Sequence, residues 1–166
     1  MPFTITCPIA RPALNPSSTG YAVTQLQQSI NARLGVLGAP GSLRLITDGD
    51  YGPKTTKAVK YIQCVAFLSV DGIVGPITWD YLCNGEISLP VLSVGSHNMV
   101  MIKEIQRILK FDGFYTGTLD GVFGSNTRAA VMAYQGASSL FPDGRVGANT
   151  WMKLVLRKVS GGSCNV

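Results

Sequence analysis

The chain repeats itself. Residues 48–82 align without a gap onto residues 120–154, an offset of 72, and 15 of the 35 paired positions are identical. Composition alone would give roughly two such identities. The shared positions include Gly52/Gly124, Thr55/Thr127, Ala58/Ala130, Val59/Val131, Gln63/Gln135, Trp79/Trp151 and Leu82/Leu154. A duplication of this kind is the first constraint on the fold, because each copy must build the same small unit. Upstream, Val23, Leu26, Gln27 and Ile30 match Ile102, Ile105, Gln106 and Leu109 at an offset of 79. The first copy therefore carries seven extra residues between Asn31 and Thr47, a stretch whose Gly35, Gly38, Pro40 and Gly41 read as loop.

Inside each copy a shorter pattern recurs at a spacing of 23, written D-G-x-φ-G-x-x-T. Its four instances begin at Asp48-Gly49, Asp71-Gly72, Asp120-Gly121 and Asp143-Gly144. Asp-Gly favours a tight turn because glycine reaches positive φ at little steric cost. The second glycine (Gly52, Gly75, Gly124 or Gly147) suits a helix N-cap, and Pro53 and Pro76 then fall at N1, where a missing N–H is tolerated. Each motif is expected to start a helix. Thr55, Ala58, Val59, Ile62 and Ala66 form an apolar stripe at helical spacing, mirrored by Thr127, Ala130, Val131 and Tyr134. A third, shorter helix carries Thr78, Trp79 and Leu82, or Thr150, Trp151 and Leu154. The expectation is an all-α chain of two tandem three-helix modules, 20–83 and 95–156. A Pro-rich N-terminal arm spans 1–19, a linker 84–94 and a C-terminal tail 157–166.

Composition narrows the chemistry. With one histidine, His97, there is no two- or three-histidine metal centre, and the four cysteines show no C-x-x-C spacing. Asp48 and Asp50 alternate as calcium ligands do but supply too few oxygens for that ion. No metal and no cofactor are expected. The net charge of +5 favours anionic partners without selecting one. No apolar run is long enough for a transmembrane helix, and no aromatic-interleaved basic run points to nucleic acid. Met1–Leu14 lacks a basic n-region and is interrupted by Pro2, Pro8 and Pro12, so it does not read as a signal peptide.

Val23-x-x-Leu-Gln-x-x-Ile, the D-G-x-Y/F-G-x-x-T-x-x-A-V-x-x-x-Q segment and D-G-x-V-G-x-x-T-W-x-x-L together resemble the type-one peptidoglycan-binding domain, and both copies carry them. The resemblance implies a three-helix, non-catalytic module that binds cell wall. It further implies peptidoglycan as ligand, with a separate catalytic or scaffold protein as a possible partner. The expected location is the cell wall after release or non-classical export, or otherwise the cytoplasm within an assembly. A structural protein–protein interaction module using the same fold is the alternative reading.

The candidate ligand contacts are the backbone N–H groups at Gly52 and Gly124, with Tyr51, Thr56, Phe123 and Arg128 beside them. Helix N-termini suit carboxylates, although Tyr51 and Phe123 read as core staples before stacking platforms, and turn geometry alone accounts for the turn residues. Lys54, Lys57 and Lys60 share one helix face, and Lys153, Arg157 and Lys158 cluster near the end; both groups read as solvated, with attraction to anionic polymer as the functional alternative. Cys64 and Cys83 occur only in the first copy, where the second has Gly136 and Val155. A bond between them is permitted, but with no export signal reduced thiols are expected, and for Cys7 and Cys164 in the terminal arms both intrachain pairing and cross-linking between chains stay open. Cys164 lacks a nearby base for nucleophilic catalysis. Glu86 falls in the linker and Glu104 on an exposed helix face, so they do not form a hydrolase carboxylate pair. No enzymatic activity is expected.

Overall fold

A computed structural model describes residues 7–164. The outermost residues of the arm (1–6) and of the tail (165–166) lie outside the described residues. Six α-helices and no strands are present among them: α1 Tyr21–Leu37, α2 Pro53–Val65, α3 Pro76–Asn84, α4 Met99–Phe111, α5 Ser125–Ala137 and α6 Ala148–Ser160. The chain divides into two compact units, Met1–Ser88 with Lys158–Val166, and Leu89–Arg157.

The helix starts follow from the repeated motif. Gly52, Gly75 and Gly124 cap α2, α3 and α5 in extended conformation, and Pro53 and Pro76 occupy N1. Asp-Gly turns place Gly49, Gly72, Gly121 and Gly144 at φ between 74 and 78°, a region that side chains with a Cβ avoid. The stripe on α2 is buried from Thr55 to Val65, and its counterpart on α5 from Thr127 to Gln135.

The core of the first unit is built from Val23, Leu26, Ile30, Val59, Ile62, Val74, Trp79 and Leu82, and that of the second from Ile102, Ile105, Leu109, Phe123, Val131, Val146, Trp151 and Leu154. Both indoles are fully buried and donate from Nε1, Trp79 to the Pro12 carbonyl (2.9 Å) and Trp151 to the Pro90 carbonyl (2.8 Å). A buried indole N–H needs such a partner. The same strand-like segments pair with the last motif of their unit, Leu14 with Val74 and Leu92 with Val146. Residues 12–19 are thus an integral edge of the first unit rather than a free arm.

Three expectations are corrected. The seven-residue insertion is not all loop: α1 continues to Leu37 because Leu34 and Leu37 extend its buried stripe, and it stops at Gly38 in the left-handed region. A short 3₁₀ turn, Gly41–Leu43, takes up much of the remainder. The thiols are not reduced. Cys7 pairs with Cys83 and Cys64 with Cys164, so each helix cysteine meets one from a terminal segment rather than its neighbour within the repeat.

The basic cluster near the end is not simply solvated. Arg157 donates through Nε and a terminal nitrogen to the Asp112 carboxylate. Lys158 is buried, with Nζ 2.6 Å from the Cys64 carbonyl oxygen and 4.3 Å from the centre of the Phe67 ring. Desolvating an ammonium is costly unless such partners offset the loss of water.

Candidate binding site

Each D-G turn is held by a glutamine from the preceding helix. Gln27 on α1 donates from Nε2 to Asp48 Oδ1 (2.7 Å), the Asp50 carbonyl (3.0 Å) and Thr55 Oγ1 (3.2 Å), while its Oε1 accepts from the Gly49 N–H (3.0 Å). Gln63 on α2 does the same for Asp71, Gly72 and Ile73. Gln106 serves Asp120, Gly121, Val122 and Thr127. Gln135 serves Asp143, Gly144, Arg145 and Thr150. An amide side chain carries donors and an acceptor a short distance apart, which matches the adjacent Asp carboxylate and Gly N–H of the turn. All four glutamines are buried.

The electrostatic consequence appears on the aspartates. The Asp50 N–H and Gln27 hold Asp48 below the usual carboxylate range. Gln106 and the Val122 N–H do so for Asp120, and the Arg145 N–H and Gln135 for Asp143. Hydrogen bonds to a carboxylate favour its charged form. The turn residues Asp48, Gly49, Asp71, Gly72, Asp120, Gly121, Asp143 and Gly144 are therefore parts of four latches.

On the first unit these latches frame a shallow groove of about 460 Å³, lined by Pro16, Tyr51, Gly52, Pro53, Thr56, Lys57 and Lys60. Pro16 comes from the edge segment, and the remainder come from the turn and exposed face at the start of α2. Three of the sequence-derived contacts, Tyr51, Gly52 and Thr56, meet here. Tyr51 is 4% exposed, and its hydroxyl donates to the Gly72 carbonyl at 2.7 Å. Burial raises the pKa of this phenol strongly. Tyr51 accordingly forms the groove floor and joins the two turns; it is not an open face for stacking. Thr56 Oγ1 donates back to the Gly52 carbonyl (3.1 Å). Lys57 is exposed and Lys60 half-buried.

In the second unit the counterparts are brought together on the same frame. Phe123 is buried at 1% exposure, Gly124 caps α5, and Arg128 is exposed. A ring at 1% exposure cannot serve as a stacking platform, so Phe123 belongs to the core. Where the first unit has Pro53, Lys57 and Lys60, the second has Ser125, Ala129 and Met132.

Sequence reasoning identified the four glutamines as repeat positions but did not assign their role, and it missed Pro16. The signal for the glutamines was present, since each lies one helix upstream of a D-G pair. Nothing local marks Pro16, which reaches the groove only because Leu14 pairs with Val74.

A family model described as "Putative peptidoglycan binding domain" matches residues 19–82 and again 99–154, well over half of the chain. The chain belongs to this peptidoglycan-binding-domain family, in two tandem copies. Among its relatives is the N-acetylmuramoyl-L-alanine amidase CwlM of Mycobacterium tuberculosis, 36% identical over 115 residues, or 64% of this chain and 28% of that protein. The spore cortex-lytic enzyme of Bacillus cereus is 48% identical over 52 residues (31% of this chain, 20% of that protein). The zinc D-Ala-D-Ala carboxypeptidase of Streptomyces albus G is 41% identical over 68 residues (40% and 24%). The matched region is thus about a quarter of the length of these relatives. No solved structure gives a significant match. The domains of this chain are shared with proteins named as cell-wall hydrolases.

Proposed function

We propose that this chain is a non-catalytic cell-wall-binding protein that holds a lytic enzyme or an assembly against peptidoglycan. The observation that carries the reading is the groove at the start of α2, where Tyr51, Gly52 and Thr56 converge with Lys57 and Lys60 on a member of the peptidoglycan-binding-domain family. Its relatives named as an amidase, a cortex-lytic enzyme and a carboxypeptidase share these domains over a fraction of their length, which supports a targeting role.

The non-catalytic reading is supported by how the reactive groups are engaged. All four cysteines are in disulfides, Glu86 accepts from the Tyr81 hydroxyl (3.1 Å), and Glu104 pairs with Arg107 (2.8 Å). The disulfides further support an oxidising, wall-associated location outside the cell.

Co-sedimentation of the oxidised chain with purified sacculi, with chitin as the control polymer, tests the reading. Saturable binding to sacculi that persists at physiological ionic strength, without loss of wall turbidity, is the expected result. Binding to both polymers alike, or to neither, would reject wall recognition, and turbidity loss caused by the purified chain alone would reject the non-catalytic role.

A further inference from the structure

The two units share a frame yet differ at the groove of the first. The offset of 72 pairs Pro53 with Ser125, Thr56 with Arg128, Lys57 with Ala129 and Lys60 with Met132. The buried positions around them, Thr55/Thr127, Ala58/Ala130, Val59/Val131 and Gln63/Gln135, are identical. The α2 residues that line the groove thus all differ between the copies: both lysines are absent from the second, which carries Arg128 in place of Thr56.

Lys60 is also placed differently from an ordinary surface lysine. The stem of Lys60 lies over the turn at Gly72: a Cβ added there would sit 3.1 Å from its Cε and 3.6 Å from its Cγ. Gly72 has φ +78° and leaves that space open. A lysine whose stem is packed keeps its ammonium in a restricted region, here on the wall of a groove that also contains Lys57 and Thr56. The nearby carboxylate of Asp71 is held within its own turn by Gln63 and the Ile73 N–H. Among the described residues, no acidic side chain lines the groove. The pyrrolidine rings of Pro16 and Pro53 add apolar walls beside the cations, a combination that suits a short peptide with aliphatic groups and free carboxylates better than a uniformly polar phosphate polymer.

Resting on the wall-binding reading above, we propose that the groove of the first unit recognises the carboxylates of short peptide stems through Lys57 and Lys60, and that the second unit lacks an equivalent site. Such a division of labour fits a duplicated frame that keeps its latches in both copies while one copy lacks both groove lysines.

The test is an NMR titration of the full, oxidised, ¹⁵N-labelled chain with the dipeptide N-acetyl-L-Ala-D-γ-Glu, with its diamide, and with inorganic phosphate. The free dicarboxylate is expected to cause saturable shifts at Gly52, Thr56, Lys57 and Lys60. The diamide and the Lys57→Gln/Lys60→Gln variant should each weaken binding about tenfold, the scale of losing charge-assisted contacts at a partly exposed site. An Arg44→Gln/Lys153→Gln variant, which removes the same net charge from exposed positions elsewhere, should bind as the parent does.

Equal binding of the diamide, equal shifts at Gly124, Arg128 and Met132, or an unaffected lysine variant would overturn the proposal. So would phosphate binding as tightly as the dicarboxylate, which would point to an anionic polymer instead. The two readings fail separately. A chain that sediments with sacculi but ignores the dipeptide loses this proposal and keeps wall recognition, whereas the opposite pattern removes wall recognition and leaves the peptide site.

Discussion

Gln106 shows how much one side chain does in this fold. It is fully buried, donates to Asp120, Val122 and Thr127, and accepts from the Gly121 N–H. Leucine at this position has a similar volume but leaves the buried Gly121 N–H without its acceptor, while the Val122 carbonyl keeps the Thr127 hydroxyl as a donor. An unpaired buried polar group costs ~1–3 kcal/mol, so Gln106→Leu is expected to cost about 1–3 kcal/mol. Chemical denaturation would measure this, and a cost under about 0.5 kcal/mol would show that the latch does not hold the turn. The same bonds give a pH dependence. Asp48, Asp120 and Asp143 have pKa values below the ordinary 3.8 in the folded chain. The unfolded chain then binds protons more readily, so this stabilisation is complete above that value and is lost as the pH falls through the folded pKa values. Thermal midpoints should drop on acidification below about pH 4, and less steeply for Asp120→Asn. These three aspartates are exposed, so the direction of the effect, rather than a large size, is the expected outcome.

At the scale of the element, α2 and α5 start by the same rule and also stop by the same rule, but only the start is visible in the residues. Each helix is followed by a non-glycine residue in the left-handed region, Phe67 at φ 60° and Ser139 at φ 58°. The Leu68 N–H then closes on the Gln63 carbonyl and the Leu140 N–H on that of Gln135, both over six residues, the bonding pattern of a Schellman stop. An ordinary side chain is strained in this conformation by roughly 1 kcal/mol. Ser139 is exposed, so Ser139→Gly is expected to raise stability by about 0.5–1 kcal/mol. Phe67 has the same backbone but is buried beneath the Lys158 ammonium. Phe67→Gly should instead cost about 3 kcal/mol or more, because the cavity outweighs the relieved strain. Paired thermal melts of the two variants would check the opposite signs, and two shifts in the same direction would contradict the account. Glycine is the usual written sign of a helix stop, which is why these ends were not legible in the sequence. The end of α1 was misread for the converse reason: Gly35 lies within the helix, where its exposed position tolerates it.

For the whole molecule, the disulfides close loops of 76 and 100 residues in sequence and keep both terminal segments on the first unit. Cross-links over such separations restrict the unfolded chain most, by ~4–5 kcal/mol each on loop entropy alone and commonly less in practice. Replacing Cys64 and Cys164 together with serine is expected to cost about 2–4 kcal/mol, measured by denaturation under oxidising conditions. The same melts in a dithiol reductant should lower the parent towards the variant. Proteolytic mapping of the oxidised chain should recover the 7–83 and 64–164 pairs, and a 64–83 pair would contradict the fold of the termini. Reduction should also weaken groove binding, because Cys7–Cys83 anchors the segment that carries Pro16 to the groove wall.

Much of this molecule follows from pattern alone. The duplication, the four helix-starting turns, the burial of Trp79 and Trp151 and the three-helix units rest on local stereochemistry: glycine in a left-handed turn, proline at N1, apolar residues at helical spacing. Each of these acts over a few residues, so a linear reading reaches it. The Tyr51, Gly52 and Thr56 side of the groove was legible for the same reason, since those residues border a single helix start. Pairings between segments far apart in the chain were not. Cys7 with Cys83, Cys64 with Cys164, Lys158 over Phe67 and Pro16 at the groove depend on where the ends of the chain return after the core has formed. No periodicity records that, because these contacts lie outside the repeat and are selected by the packed surface on which the terminal segments come to rest.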